Sequence, residues 1–263
     1  MVVADLHVHT RNSDGSMALA DVPAAADRAG VRAVCITDHD RLHPDLSTPV
    51  VHIEGTTVIH GIELRVDAGP FRVDLLGYGV RRTDALSAEV ERLQSDRIER
   101  GRAIVECVED RLGVDLDVDL SAGVGRPHVA RAIARSDAPY DYDDAFAELI
   151  GGDGPCYVAR DVPDFETGVD LLADACGLVG LAHPFRYPDP DAALDLCSDP
   201  RVGAVERWYP YDREVDSRPV DRALDAHDLV PTGGSDAHDD ILGRAGLDRP
   251  AYRRFRSEVA LHP

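Results

Sequence analysis

Short apolar runs recur along the chain, and most of them end in a side chain that can bind a metal ion. Seven runs have the length of buried strands, at 2–8, 33–37, 57–62, 73–76, 178–182, 202–205 and 229–232. Helical patterns lie between several of them, at 19–29, 165–175 and 219–226. Strands that alternate with helices favour an α/β fold with a parallel sheet or barrel. In such barrels the working residues sit at the C-terminal ends of the strands.

The middle of the chain has a different pattern. Residues 84–113 are helical and charged, and 123–154 continue as helix, interrupted by Gly125-Arg126-Pro127-His128 and by Gly151-Gly152. We therefore predict a small helical insertion at about 83–157 that folds over the mouth of the barrel.

Histidines and carboxylates follow the predicted strands. His7 and His9 are two positions apart on a strand, so both side chains leave the same face and can grip one ion. Asp14 lies in a Ser-Asp-Gly turn that can return a carboxylate to the strand end. Each feature alone is equally compatible with an ordinary turn or a hydrogen-bonded core histidine.

The theme repeats at later strand ends. His39 follows an apolar strand within Thr37-Asp38-His39-Asp40, and three consecutive polar residues are costly there unless their charges are used. Glu63 can bridge two cations with its two oxygens. His183, Asp236 and His238 again come directly after apolar runs. This repetition favours a metal site over coincidence.

The charge composition excludes several mechanisms. The chain has 49 acidic and 28 basic residues, and every basic residue is arginine. Without lysine there is no Walker-type phosphate loop, no Schiff base and no lysine carbamate between two metals. A net charge of −21 argues against a basic groove for nucleic acid. Closely spaced carboxylates repel less in strong salt, so we expect a halophilic protein.

The cysteines and the apolar runs bear on the cellular compartment. Five cysteines stand far apart without metal-binding spacing, which predicts free, buried thiols in a reducing cytosol rather than disulfides. We find no secretion signal and no apolar run of about 18 residues, so we expect a cytoplasmic protein without a membrane partner.

The order of the motifs resembles the PHP (polymerase and histidinol phosphatase) superfamily of metallophosphoesterases. The resemblance covers almost the whole chain and rests on Asp5-Leu6-His7-Val8-His9-Thr10, Ser13-Asp14-Gly15, Ile36-Thr37-Asp38-His39, Gly61-Ile62-Glu63, Ala182-His183-Pro184 and Gly234-Ser235-Asp236-Ala237-His238. Gly125-Arg126-Pro127-His128 is similar to an element of stand-alone members that act on small phosphorylated metabolites, including nucleotides.

The resemblance implies a distorted seven-stranded (β/α) barrel and three divalent ions per chain, from among Mn, Zn, Fe and Mg. One ion would be held by His7, His9, Glu63 and Asp236, a second by Asp14, His39 and His238, and a third by Glu63 and His183. Asp74 stands where the family usually has a histidine. Its oxygen is a harder donor, which shifts the preference toward Mn²⁺ or Mg²⁺ and away from Zn²⁺.

The resemblance also implies a reaction. The chain would hydrolyse a small phosphorylated metabolite, a nucleoside monophosphate or 3′,5′-bisphosphate, by attack of a metal-bridging hydroxide on phosphorus. The planar fork of Arg126 would bind phosphate, and His128 would bind phosphate or protonate the leaving alkoxide. Arg186 is a further candidate for substrate contact. We expect no stable nucleic-acid partner, and the oligomeric state stays open.

Four alternatives stay open. An amidohydrolase also begins with His-x-His, but the absent lysine and Glu63 count against it. A polymerase-associated nuclease would need a basic surface. Histidinol-phosphate phosphatases share the metal motifs but usually lack the Gly-Arg-Pro-His element. A non-catalytic metal-binding sensing module is encouraged only by Asp74.

Overall fold

The chain forms an α/β structure, and the computed structural model describes residues 1–259. The strands are β1 (Ala4–Val8), β2 (Ala33–Ile36), β3 (Val50–Ile53), β4 (Thr56–Asp67), β5 (Arg72–Tyr78), β6 (Leu178–Leu181), β7 (Ala204–Trp208) and β8 (Val230–Gly233). The α-helices are α1 (Val22–Ala29), α2 (Asp84–Leu112), α3 (Arg126–Arg135), α4 (Tyr142–Asp144), α5 (Phe165–Ala175), α6 (Pro190–Asp195), α7 (Arg218–His227) and α8 (Arg249–Glu258).

The described chain separates into two compact units. The barrel unit contains residues up to 88 and those from 162 onward, and the helical unit is Glu89–Asp161. That the helical unit folds over the barrel mouth stays a prediction. No helix within residues 1–259 has both the length and the apolar composition needed to cross a bilayer.

One curled sheet forms the barrel unit. Its strand order is β1-β2-β4-β5-β6-β7-β8, and β3 pairs with β4. The neighbours β1, β2 and β4 are parallel, as are β6, β7 and β8. Beyond β8 the chain returns to β1, where the amide of His9 donates to the Ala237 carbonyl at 2.9 Å. The predicted distorted (β/α) barrel is confirmed.

Two features of the sheet depart from the sequence prediction. β3 is an eighth strand, antiparallel to β4 and mostly half-exposed, so it leaves no apolar run to recognise. β5 is antiparallel to both β4 and β6. Because β5 runs in the opposite direction, its N-terminal end lies at the edge where the parallel strands have their C-terminal ends. Asp74, near the start of β5, is thereby brought to that edge.

The core of the barrel unit explains why these segments pair. Leu6, Ile59 and Tyr78 are fully buried, and Phe255 of α8 packs its ring edge-on against Tyr78 at 5.2 Å. The Tyr78 hydroxyl lies 3.1 Å from that of Thr232, which satisfies its polar end. Burial of one such side chain contributes about 1.5–3 kcal/mol.

The helical unit has a separate apolar core. Ile104 and Val108 of α2 pack with Val129 and Ile133 of α3. A disulfide joins Cys107 to Cys156, so the prediction that all cysteines are free is wrong. The two residues are 49 positions apart and come together only through tertiary packing, which spacing along the chain does not reveal. Cys35, Cys176 and Cys197 are free.

Candidate metal centre

Histidines and carboxylates from six places in the chain converge at one edge of the barrel. The ligand atoms within each of three groups lie within 4.8 Å of one another: His7, His9, Glu63 and Asp236; His9, Asp14, His39 and His238; and Glu63, Asp74 and His183. All nine residues predicted as metal ligands are therefore gathered in the barrel unit. Their role as ligands stays a prediction.

Glu63 lies at the middle of the cluster. Its Oε2 is 3.4 Å from His7 Nε2, 3.3 Å from His9 Nε2 and 2.8 Å from His39 Nδ1. Its other oxygen, Oε1, is 3.0 Å from His183 Nε2. A carboxylate placed between four imidazoles can bridge neighbouring cations, as the resemblance implies.

Several of the inward atoms lack a hydrogen bond. They are His7 Nε2, His9 Nε2, Asp14 Oδ1, Glu63 Oε2 and Asp236 Oδ1, all buried. Buried polar atoms are almost always hydrogen-bonded, so a set of them aimed at shared points indicates a bound group. Nitrogen and carboxylate donors together suit a divalent transition metal. The residues of the first two groups therefore fit metal ions.

The electrostatics of the carboxylates point the same way. Burial alone would raise the pKa values of Asp14, Glu63 and Asp236, but the surrounding imidazoles outweigh it and hold all three well below the usual range. Charged carboxylates are thus available as ligands.

The histidines differ from one another. For His7, burial lowers the pKa, but the carboxylates of Glu206, Asp236 and Glu63 raise it well above its ordinary value. The pKa of His238 is also raised: burial opposes the shift, and Asp14 causes it. The pKa of His9 is lowered by burial and by its imidazole neighbours. A cation that binds here displaces protons from the imidazoles.

The backbone is strained at this edge. Asp40, His183 and Asp236 have φ values of 48°, 26° and 48°, in the left-handed region that favours glycine. Such strain persists where the surrounding structure fixes the residue, and it is often stored at functional sites. Here it places the side chains of His183 and Asp236 beside Glu63 and His9.

Three buried carboxylates support the cluster, and the sequence prediction did not include them as site residues. Glu206 Oε1 lies 3.2 Å from His7 Nδ1, and its Oε2 accepts from the His183 amide at 2.7 Å. Asp5 accepts from the Ser235 amide at 2.8 Å. Asp38 accepts from the Thr10 amide at 2.7 Å and thereby holds the loop that carries Asp14. In the sequence, each of these three carboxylates follows an apolar run or lies within one, and that position was the signal that could have identified it as a site residue.

The predicted substrate contacts lie in both units. Arg186 Nη1 donates to Asp236 Oδ2 at 3.0 Å, so it borders the cluster. Arg126 and His128 open α3 in the helical unit. Arg126 donates to the Ile150 carbonyl at 3.2 Å, and His128 Nδ1 accepts from the Gly125 amide at 3.1 Å. Their contact with a substrate stays a prediction.

Comparison with known sequences identifies the family. A profile described as "PHP domain" matches residues 5–143, more than half of the chain. The chain belongs to the PHP family. The resemblance found in the motifs is thereby confirmed, and this PHP-family protein is a phosphoesterase with a candidate metal-binding centre.

Three relatives cover between 70% and 98% of the chain. A 3′,5′-nucleoside bisphosphate phosphatase from Chromobacterium violaceum is 28% identical over 293 aligned positions, with 98% of each chain covered. A phosphoribosyl 1,2-cyclic phosphate 1,2-diphosphodiesterase from Eggerthella lenta is 30% identical over 254 positions, covering 90% of this chain and 94% of the relative. A 5′-3′ exoribonuclease from Haemophilus influenzae is 25% identical, covering 70% of this chain and 69% of the relative.

Two solved structures share the fold. A metal-dependent phosphoesterase from Bifidobacterium adolescentis superposes with a TM-score of 0.80 at 20% identity, covering 98% of this chain and 96% of the other. An amidohydrolase from Chromobacterium violaceum, with bound sulfate and no metal, gives 0.78 at 23% identity, covering 97% and 96%. At these identities the likeness supports the PHP fold alone.

Proposed function

We propose that this PHP-family protein hydrolyses a phosphate monoester of a small metabolite, a nucleoside monophosphate or a 3′,5′-bisphosphate. The observation that carries the proposal is the set of unpartnered ligand atoms that meet around Glu63. End-to-end similarity to the nucleoside bisphosphate phosphatase supports the choice of substrate. When bound, divalent cations would offset the charge of the phosphate and lower the pKa of a water molecule to about 7.

The chain's own residues would bind and orient the substrate. Arg186 Nη1 donates both to Asp236 Oδ2 and to the Tyr209 hydroxyl, each at 3.0 Å. These contacts position the guanidinium beside the centre. In neutral His128, Nδ1 accepts the Gly125 amide, so the ring proton sits on Nε2. That N–H can donate a hydrogen bond to a phosphate oxygen.

The helical unit contains a cluster of arginines of a kind that binds anions. Burial, together with the positive charges of Arg126, Arg160 and Arg97, lowers the pKa of Arg100 to about 9. An anion placed beside Arg100 would be attracted by these positive charges. Phosphate suits such a cluster because its oxygens accept from planar guanidinium forks.

A second candidate is hydrolysis of a cyclic phosphodiester. It is favoured by the 30% identity to the Eggerthella lenta phosphodiesterase. The test is to load the protein with Mn²⁺ in high salt and supply AMP, a 3′,5′-bisphosphorylated nucleoside, histidinol phosphate, a five-membered cyclic phosphate and a short oligonucleotide. We expect phosphate release from the nucleotides and little from the oligonucleotide.

Glu63→Gln is the matched control for this assay. The substitution keeps the size of the side chain but removes the bridging charge, so we expect turnover and bound metal to be lost together. Wild-type rates in this variant would contradict the role of Glu63. No hydrolysis of any ester by metal-loaded wild-type protein would refute the enzyme and leave a metal-binding sensing module.

A further inference from the structure

Asp74 differs from the other predicted ligands in what it contacts. It lies on β5 directly opposite Arg65 of β4, because the two residues are register partners in the hairpin. Arg65 Nε donates to Asp74 Oδ1 at 2.6 Å, and Nη2 donates to Oδ2 at 2.5 Å. The carboxylate is buried, and a bidentate guanidinium occupies both of its oxygens.

In the third group, the atoms that face one another are already hydrogen-bonded. His183 Nε2 is hydrogen-bonded to Glu63 Oε1 at 3.0 Å, and both Asp74 oxygens are taken by Arg65. His183 Nδ1 has no partner, but Nε2 is the nitrogen that lies toward Glu63 and Asp74. In the first two groups, by contrast, five inward atoms are unpartnered: His7 Nε2, His9 Nε2, Asp14 Oδ1, Glu63 Oε2 and Asp236 Oδ1. These residues fit a third metal ion poorly.

We propose that the guanidinium of Arg65, fixed by Asp74, takes the place of a third metal ion, so that the centre binds two divalent cations and one permanent positive charge. A divalent ion at the third position would have to break a bidentate pair and sit beside a guanidinium of like sign. Removing that guanidinium would leave Asp74 and Glu63 as two carboxylates beside His183, a set that suits a divalent ion.

Arg65 can also serve the substrate directly. Its Nη1 has no hydrogen-bond partner within residues 1–259, and its side chain is one third exposed. Arg65 lies two positions after Glu63 on β4, so both side chains leave the same face of the strand. Nη1 can therefore donate to a phosphoryl oxygen of the substrate. A third metal ion would attract the same oxygen.

The experiment counts metal ions. Wild-type protein and Arg65→Gln are saturated with Mn²⁺, freed of excess metal and analysed for metal per chain. We expect two ions in the wild type and three in Arg65→Gln, while Arg65→Lys keeps the charge and stays at two. Arg207→Gln is the matched control, because Arg207 forms a similar pair with Asp221 and is equally exposed. It should stay at two.

Three ions in the wild type, or an unchanged two in a folded Arg65→Gln, would overturn the proposal. If Arg65→Gln does not fold, anomalous scattering from Mn²⁺-loaded wild-type crystals decides instead. Two peaks with Arg65 still against Asp74 support the proposal, and a third peak between Glu63, Asp74 and His183 refutes it. The inference rests on the metal-dependent function proposed above, but its failure is distinguishable: absent turnover with two bound ions would refute only the function.

Discussion

Replacing Glu206 by glutamine should weaken metal binding although Glu206 belongs to none of the three ligand groups. Its carboxylate is fully buried and serves two groups at once: the His7 ring at Nδ1 and the His183 amide. The contact to Nδ1 fixes the orientation of His7 and leaves Nε2, which faces inward, as the nitrogen that can bind a metal ion.

The magnitude follows from counting hydrogen bonds. Glutamine has the same size but one acceptor oxygen and an NH₂ group, so in either orientation its NH₂ group faces the His7 ring nitrogen Nδ1 or the His183 amide. One buried donor is left facing another donor, which costs about 1–3 kcal/mol. Loss of an outer partner of a metal-binding histidine typically weakens metal affinity about 10–100-fold. That range corresponds to about 1.4–2.8 kcal/mol, in agreement with the hydrogen-bond count.

Competition with a chelator measures the change. Mn²⁺ affinity is determined for wild type, Glu206→Gln and Glu214→Gln, the last being an exposed glutamate in the segment after β7. We expect the loss in Glu206→Gln alone, and thermal melting of each metal-free variant separates it from general destabilisation. Equal Mn²⁺ affinity in a folded Glu206→Gln would show that His7 does not need this partner, and the reasoning would fail.

Two further outcomes follow from the geometry and the charges. A Cβ on Gly234 would lie 2.3 Å from the His7 amide nitrogen, so Gly234→Ala should lower the free energy of unfolding by about 1–3 kcal/mol. A Cβ on Gly152 meets nothing within 4 Å, so Gly152→Ala should leave the free energy of unfolding unchanged. Urea unfolding measures both. In the metal-free protein, the pKa values of Asp14, Glu63 and Asp236 are lowered, so their charged carboxylates stabilise the folded state at pH values above the ordinary pKa values of 3.8 for Asp and 4.5 for Glu. This stabilisation is lost as the pH falls. The raised pKa values of His7 and His238 stabilise the fold below pH 6.5, whereas the lowered pKa values of His9 and His60 act in the opposite direction. The carboxylates therefore carry the prediction: the melting temperature should fall as the pH is lowered below 4.5, and an unchanged melting temperature between about pH 5 and about pH 3 would contradict this.

Much of the metal centre was predictable because its residues follow apolar strands. His7, His39 and His183 each come directly at the end of a run that is wholly or almost wholly buried in the structure. Parallel strands carry their C-terminal ends to one edge, so a linear pattern predicts a spatial cluster. Helix α5 was also predicted with its observed bounds, Phe165–Ala175, where Asp164 caps the first turn.

What the sequence did not reveal depends on strand direction and on side-chain pairing. The pair of Arg65 with Asp74 exists because β5 turns back against β4, and a hairpin register cannot be read from apolar runs that are fully buried. Asp74 was therefore interpreted as a substituted ligand and not as the partner of an arginine. β3 was missed because its side chains are largely half-exposed and no run marks it.

The acidic composition creates two electrostatic problems, and the structure separates them. Carboxylates on the surface are separated by water, so dissolved salt screens their repulsion within about a Debye length. The side chains of Glu63, Asp236 and Glu206 are buried, where dissolved ions cannot reach and unpaired charge is strongly destabilising. There the compensating charge must be bound: protons on His7 in the metal-free protein, Arg65 beside Asp74, and metal ions when the centre is filled. Salt should therefore stabilise the fold as a whole and leave the affinity of the centre for metal nearly unchanged.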